Sequence, residues 1–173
     1  MKDYIPDMYQ KSIYTVDYSK LLSKGIKCIL YDLDNTIIPP KSSDPVPKAK
    51  DLFTSLKQKG FRIFILTNSP EFRLKKFTEY YGIEGVSWAL KPHTFKLKKL
   101  IKKYNYKPSE VALIGDQIMT DVKCGNKVGV TTILTKPLHE EEFFVTKINR
   151  FLENKKLKEL EKKGLFHKDD FYE

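Results

Sequence analysis

Two carboxylates one residue apart, Asp32 and Asp34, stand in the stretch ILYDLDNTII, residues 29–38. Ahead of them Ile26, Cys28, Ile29, Leu30 and Tyr31 form a short apolar run rich in strand formers, which reads as a buried strand. Side chains alternate along an extended chain, so positions i and i+2 point the same way and both acids can face one small volume. Like charges that close need a cation or a shared proton. Taking only the residues that follow each strand-like run collects Thr36, Thr67, Asn68, Ser69, Lys91, Asp116 and Asp121 as well. Three carboxylates from two strand ends can hold Mg²⁺, a hard ion that takes oxygen ligands and keeps several waters and a substrate phosphate. A carboxylate can also attack phosphorus, giving an aspartyl-phosphate that water then cleaves. One hydroxyl, one amide and one ammonium remain for the phosphate oxygens, where charge must be stabilised in the transition state.

The elements that position these groups follow from periodicity. Strands are predicted at 26–31, 61–67, 86–90, 111–115 and 130–134. Helices are predicted at 46–56, 70–81, 93–104 and 118–126, with Gly60 and Gly82 at two of the helix ends. Strands alternating with helices imply an α/β fold: a Rossmann-like, doubly wound parallel sheet with right-handed crossovers and a ligand site beyond the carboxyl ends of the strands. Residues 1–25 read as short turns packing on the body, and the prolines between Pro39 and Pro47 as an irregular loop. A helical segment over 139–173 is expected to turn Phe143, Phe144, Ile148, Phe151 and Leu152 inward. Trp88 and the phenylalanines are expected in the core, and His93 and His139 at the surface or as caps.

A chain of 173 residues suits one domain, 1–173, large enough to bury roughly two thirds of its unfolded surface. Cys28 and Cys124 lack the paired spacing of a zinc or redox site and read as small apolar fillers in a reducing compartment. Neither a signal-peptide core nor a run of about 18 apolar residues occurs, which implies a soluble cytoplasmic protein. The formal net charge of +10 and pI near 9.4 draw the chain toward anions. Much of the excess sits between Lys91 and Lys107, where seven lysines occur and no acid.

DLDNT at 32–36, LTNS at 66–69, KP at 91–92 and GDQIMTD at 115–121 resemble the four ordered motifs of the haloacid-dehalogenase-like (HAD) phosphatases, and among these the YqeG type of subfamily IIIA, over about residues 4–134. The resemblance implies an Mg²⁺-dependent phosphomonoester hydrolase with Asp32 as nucleophile and Asp34 as general acid and base. It also implies Thr67, Asn68 and Lys91 on the phosphate, and Asp32, Asp34 (through its backbone carbonyl) and Asp116 on the metal. Thr36 supports the site, and Asp121 orients either Lys91 or a metal-bound water. Asp34 favours phosphate esters, since members that cleave carbon–halogen or carbon–phosphorus bonds generally lack that acid.

Family cap domains are inserted after the first motif or between the second and third, and neither gap is roomy here. No large cap is expected, and an open site suits a large or surface-presented phosphate; the family resemblance points to phosphatidylglycerophosphate. The lysine face from Lys96 to Lys103 reads either as a solubilising surface, as a dock for anionic membrane lipid, or as a nucleic-acid contact, with lipid or a small polyanion ahead because no aromatics interleave it. In the competing functional reading, a non-catalytic or weakly catalytic protein uses that face to bind RNA, a ribosome or a protein partner. Taken singly, Thr67 and Asn68 also read as caps of the following helix.

Overall fold

The computed structural model describes residues 2–40, 42–139 and 144–173 and, of 144–150, the backbone alone. Six strands form one parallel sheet: β1 (Met8–Gln10), β2 (Cys28–Tyr31), β3 (Arg62–Leu66), β4 (Glu84–Val86), β5 (Val111–Gly115) and β6 (Thr131–Thr135). Their order is β1-β6-β5-β2-β3-β4, so β2, which leads to Asp32, lies in the middle between β5 and β3. The helices are α1 (Tyr18–Ser23), α2 (Pro47–Gln58), α3 (Glu71–Tyr81), α4 (Phe95–Lys103), α5 (Lys123–Val128) and α6 (Phe144–Lys162).

The two-residue alternation of the strands sorts the core. Ile29 and Tyr31 of β2, Ile63 and Ile65 of β3 and Ala112 and Ile114 of β5 pack against α1, α2 and α3 through Leu21, Phe53, Leu74 and Phe77. Cys28, Leu30, Phe64, Leu66, Val111 and Leu113 face the other way, onto Leu97, Leu100 and Ile101 of α4 and Cys124 of α5. Each of the Val, Leu, Ile and Phe side chains among them contributes about 1.5–3 kcal/mol on burial. The sheet is covered on both faces, as the alternating pattern predicts. Among the described residues only the proline loop and α2 separate β2 from β3, and only α3 separates β3 from β4, so no large cap covers the strand ends. No described helix is long and apolar enough to cross a membrane.

Several elements depart from expectation. The N-terminal segment contains an edge strand, β1, paired with β6 in the register Met8 to Ile133. Three residues are too few to show a period. β4 ends at Val86, because Trp88 (φ 47°) and Leu90 (φ 56°) take left-handed backbone conformations and the chain leaves the sheet at the point where a strand is expected to continue. Trp88, Phe72, Phe95 and Phe151 are exposed, not core. Among the described side chains of α6, Glu153 and Leu160 are buried and Leu157 partly buried, whereas Phe151 and Leu152 face solvent. The expected packing of Phe143, Phe144 and Ile148 lies outside the described residues. The segment expected as one helix from Ile118 opens with a π turn, Ile118–Val122, before α5.

Candidate active site

β2 delivers Asp32 directly: its amide donates to Ile114 O at 2.8 Å, extending the ladder with β5 by one residue. Beyond it the chain turns tightly. Ile37 and Ile38 amides both donate to Leu33 O, and Asn35, a residue type that tolerates the left-handed region, sits at φ 65°. Leu33, Ile37 and Ile38 are fully buried and pin this turn to the core, so Asp32 and Asp34 are placed by apolar anchors beneath them. Thr36 is buried in the same turn, and its Oγ1 has no hydrogen-bond partner among the described residues.

The crowding of the two acids is resolved by giving each its own cation. Lys91 Nζ donates to Asp32 Oδ1 at 2.7 Å, to Asp121 Oδ1 at 2.6 Å and to Leu66 O at 2.7 Å, with its side chain 2% exposed. Asp34 accepts from Ser69 Oγ at 2.6 Å and from Arg73 Nη2 at 2.5 Å. Burial alone disfavours the Lys91 ammonium, but the Asp121 and Asp32 carboxylates outweigh it and hold its pKa above the ordinary lysine value. Burial raises the Asp32 pKa well above the carboxylate range; Lys91 opposes this, and Asp121 and Asp116 add to it.

Asn68 fixes the backbone of the lysine. Its Oδ1 accepts from Lys91 N at 2.8 Å and its Nδ2 donates to Lys91 O at 3.0 Å. Thr67 is buried, and its hydroxyl accepts from Ser69 N at 3.1 Å. Neither residue caps α3, which begins after Pro70 without a side-chain cap.

From β5, Asp116 enters buried, and the π turn brings Asp121 back beneath it. Asp121 Oδ2 accepts from Gln117 N at 3.2 Å while Oδ1 holds Lys91. Gly115 is needed for this approach, since a Cβ there would lie 2.3 Å from Asp121 Cγ and Oδ2. The turn is also held from α6: Glu153, 2% exposed, accepts from the amides of Ile118 at 2.5 Å and Met119 at 3.3 Å.

Asp32, Asp116 and Asp121 each offer an oxygen within 4.8 Å of the others. This is a hard-oxygen donor set of the kind a divalent cation takes. The carboxylate grouped there with Asp32 and Asp116 is that of Asp121, while the Asp34 carboxylate turns to Ser69 and Arg73. A cleft of about 600 Å³ gathers Asp32, Asp34, Thr67, Asn68, Lys91 and Arg73 at the carboxyl end of the sheet. Arg73 and Glu153 escape a reading of strand ends. A cation in the first turn of a helix opposes the macrodipole, which is the one sequence signal that Arg73 meets an anion. Glu153 carries no comparable signal.

A family model described as haloacid dehalogenase-like hydrolase matches residues 5–129. The chain is 33% identical over 163 residues to the "Probable phosphatase YqeG" of Bacillus subtilis, covering 94% of this chain and 95% of that one. It is 29% identical to the "Phosphatidylglycerophosphate phosphatase 1, chloroplastic/mitochondrial" of Arabidopsis thaliana, covering 93% of this chain but 49% of that longer protein. A subfamily III A HAD hydrolase from Legionella pneumophila shares the fold, with a TM-score of 0.55 at 19% identity over 71% of this chain and 73% of that one. The chain belongs to the haloacid dehalogenase-like hydrolases, and within them to the phosphatases of the YqeG type.

Proposed function

We propose that the chain hydrolyses phosphomonoesters in two half-reactions centred on Asp32. In the first, Asp32 attacks phosphorus, the ester oxygen departs with a proton from Asp34, and the phosphoryl group stays on Asp32 as an acyl phosphate. In the second, Asp34 takes a proton from water as the water attacks phosphorus, releasing phosphate and restoring the Asp32 carboxylate. Thr67 and Lys91 bind the phosphate oxygens, Asn68 fixes Lys91, and Asp121 positions the Lys91 ammonium. Thr36 supports the Asp32–Asp34 turn. Asp32 and Asp116, with the Asp34 backbone carbonyl, would hold Mg²⁺, which supplies positive charge against the phosphoryl oxygens.

One observation carries this reading: the buried Lys91 ammonium joins Asp32 to Asp121 beside Asp116, while Asp34, two residues on, is held apart by Ser69 and Arg73. A binding protein has no use for an acid kept separate in this way at a leaving-group position. The experiment is phosphate release from an aryl phosphate with and without Mg²⁺. Release should require the metal and be abolished in Asp32→Asn; unchanged turnover in that variant would remove Asp32 as nucleophile.

The uncovered cleft supports a phosphate carried on something large, and the name of the Arabidopsis relative supports a lipid-linked one. A panel of phosphatidylglycerophosphate in vesicles, sugar phosphates and nucleotides should show the highest kcat/KM for the lipid.

A further inference from the structure

Nine large apolar side chains are exposed among the described residues, and they are unevenly placed. Five of them, Phe72, Trp88, Leu90, Phe95 and Leu138, belong to the carboxyl end of the sheet, where the cleft opens. Phe72 lines the cleft itself. Trp88 N donates to the carbonyl of Ser69, the residue whose hydroxyl holds Asp34, and Leu90 immediately precedes Lys91. Phe95 opens α4, and Leu138 N donates to Asn35 O in the Asp32–Asp34 turn.

The exposure is extensive, at 81% for Phe72, 70% for Phe95, 57% for Leu90 and 53% for Trp88. It is also built in. Trp88 and Leu90 both occupy the left-handed region, which bulky residues rarely adopt, and both project outward from it. Several large apolar side chains exposed around one cleft mark a surface with a partner.

Charge identifies the partner. On α4, Phe95 lies three, four and seven residues before Lys98, Lys99 and Lys102, a spacing that puts all four on one face of the helix. Among the described residues these lysines hold no ion pair. Protein interfaces deplete lysine, and a stacking platform for bases is built from rings, whereas two of the five apolar rim residues, Leu90 and Leu138, are aliphatic. Aromatic and aliphatic side chains bordered by lysines are the composition of a surface that lies in the headgroup region of an anionic bilayer.

We propose that this rim docks on an anionic lipid bilayer. Phe72, Trp88, Leu90 and Phe95 enter the headgroup boundary, the α4 lysines contact lipid phosphates, and the cleft faces the membrane. What the docked cleft hydrolyses rests on the phosphatase reading above; the docking does not.

Trp88 is the single tryptophan of the chain, so its fluorescence reports the rim alone. Vesicles of phosphatidylglycerol with phosphatidylcholine should shift its emission to the blue and allow quenching by brominated acyl chains. Phosphatidylcholine alone should bind at least about tenfold more weakly. The double variant Leu90→Ser/Phe95→Ser keeps the reporter. It should lose about tenfold in vesicle affinity while keeping the wild-type circular dichroism spectrum and melting temperature, which shows that it is folded. Absence of both the shift and the quenching with anionic vesicles overturns the docking. So does a shift that tracks protein concentration in place of lipid, which would assign the rim to a second copy, or one produced only by single-stranded RNA. A wild-type chain that docks but releases phosphate from no ester sustains the rim and removes the phosphatase reading; hydrolysis of soluble esters without docking does the reverse.

Discussion

Replacing Lys91 by methionine keeps a side chain of similar length and removes an ammonium that donates to Asp32, Asp121 and the Leu66 carbonyl. Water cannot take its place easily, since the Lys91 and Asp121 side chains are 2% and 3% exposed. Removing one partner of a buried ion pair costs about 3–5 kcal/mol, because the charge left behind is stranded. For a chain of this length about 1 kcal/mol corresponds to about 2–4 °C, so the metal-free Tm should fall by about 6–20 °C. The loss should also depend on pH with a definite sign. Burial already raises the Asp32 pKa and Lys91 opposes that rise, so without Lys91 it climbs further. A raised pKa favours the protonated carboxyl in the fold, which contributes stability at acid pH and loses it as pH rises through the folded value. The deficit of the variant should therefore be widest near neutrality and narrow toward acid pH. Saturating Mg²⁺ should raise the variant's Tm, since a ligand at about a hundred times its Kd adds about 2.7 kcal/mol. Differential scanning calorimetry across pH, with and without the metal, reads all three effects. A variant within about 2 °C of the wild type at every pH would refute the claim that this ammonium holds the carboxylates together.

Gly115→Ala would press a Cβ to 2.3 Å from Asp121 and must displace that carboxylate from Lys91; phosphate release should fall by about tenfold or more, measured with the aryl phosphate. Glu153→Ala leaves the Ile118 and Met119 amides without their acceptor at a cost of about 1–3 kcal/mol in denaturant titration. It should also raise the Mg²⁺ concentration needed for half-maximal activity, while Glu153→Gln, which keeps an acceptor, should lose less of both. The buried hydroxyls of Tyr31, bonded to Tyr18 Oη at 2.7 Å, and of Tyr18, bonded to Ile13 O at 2.7 Å, have pKa values raised chiefly by burial. Their contribution to stability is intact below the ordinary phenol value of about 10 and is lost as pH climbs past it toward the folded values, so their phenolate absorbance should grow only as circular dichroism reports unfolding.

The parallel sheet was legible because its inner strands are long and apolar on both faces: VALIG at 111–115 coincides with β5 residue for residue. The segment 87–90 misleads for a physical reason. Val86, Trp88 and Leu90 alternate as a strand should, yet two of them leave the sheet in left-handed conformations. Alternation reports which side chains are apolar, not which way the backbone lets them point. The same limit applies to α6, where Phe151 and Leu152 look inward by hydropathy but the helix is turned by Glu153 and Leu160. The strand-end acids could be read from spacing because a strand fixes direction two residues at a time. Arg73 could not, because its partner Asp34 is 39 residues distant and only the packing of α3 brings them together.

Glu153 shows how a segment outside the matched family core reaches the candidate site. The family model ends at residue 129, and α6 begins at Phe144, beyond β6. Its carboxylate nonetheless accepts two amides of the turn that carries Asp121, in surroundings where an unpaired acid would be costly. The turn begins with a π segment, whose first amides have no partner within it, and Glu153 supplies the acceptors. Asp121 in turn fixes Lys91, and Lys91 fixes Asp32. A contact made by α6 is thus transmitted through three charged side chains to the carboxylate at the end of β2, and loosening it should be felt there before it is felt in the sheet.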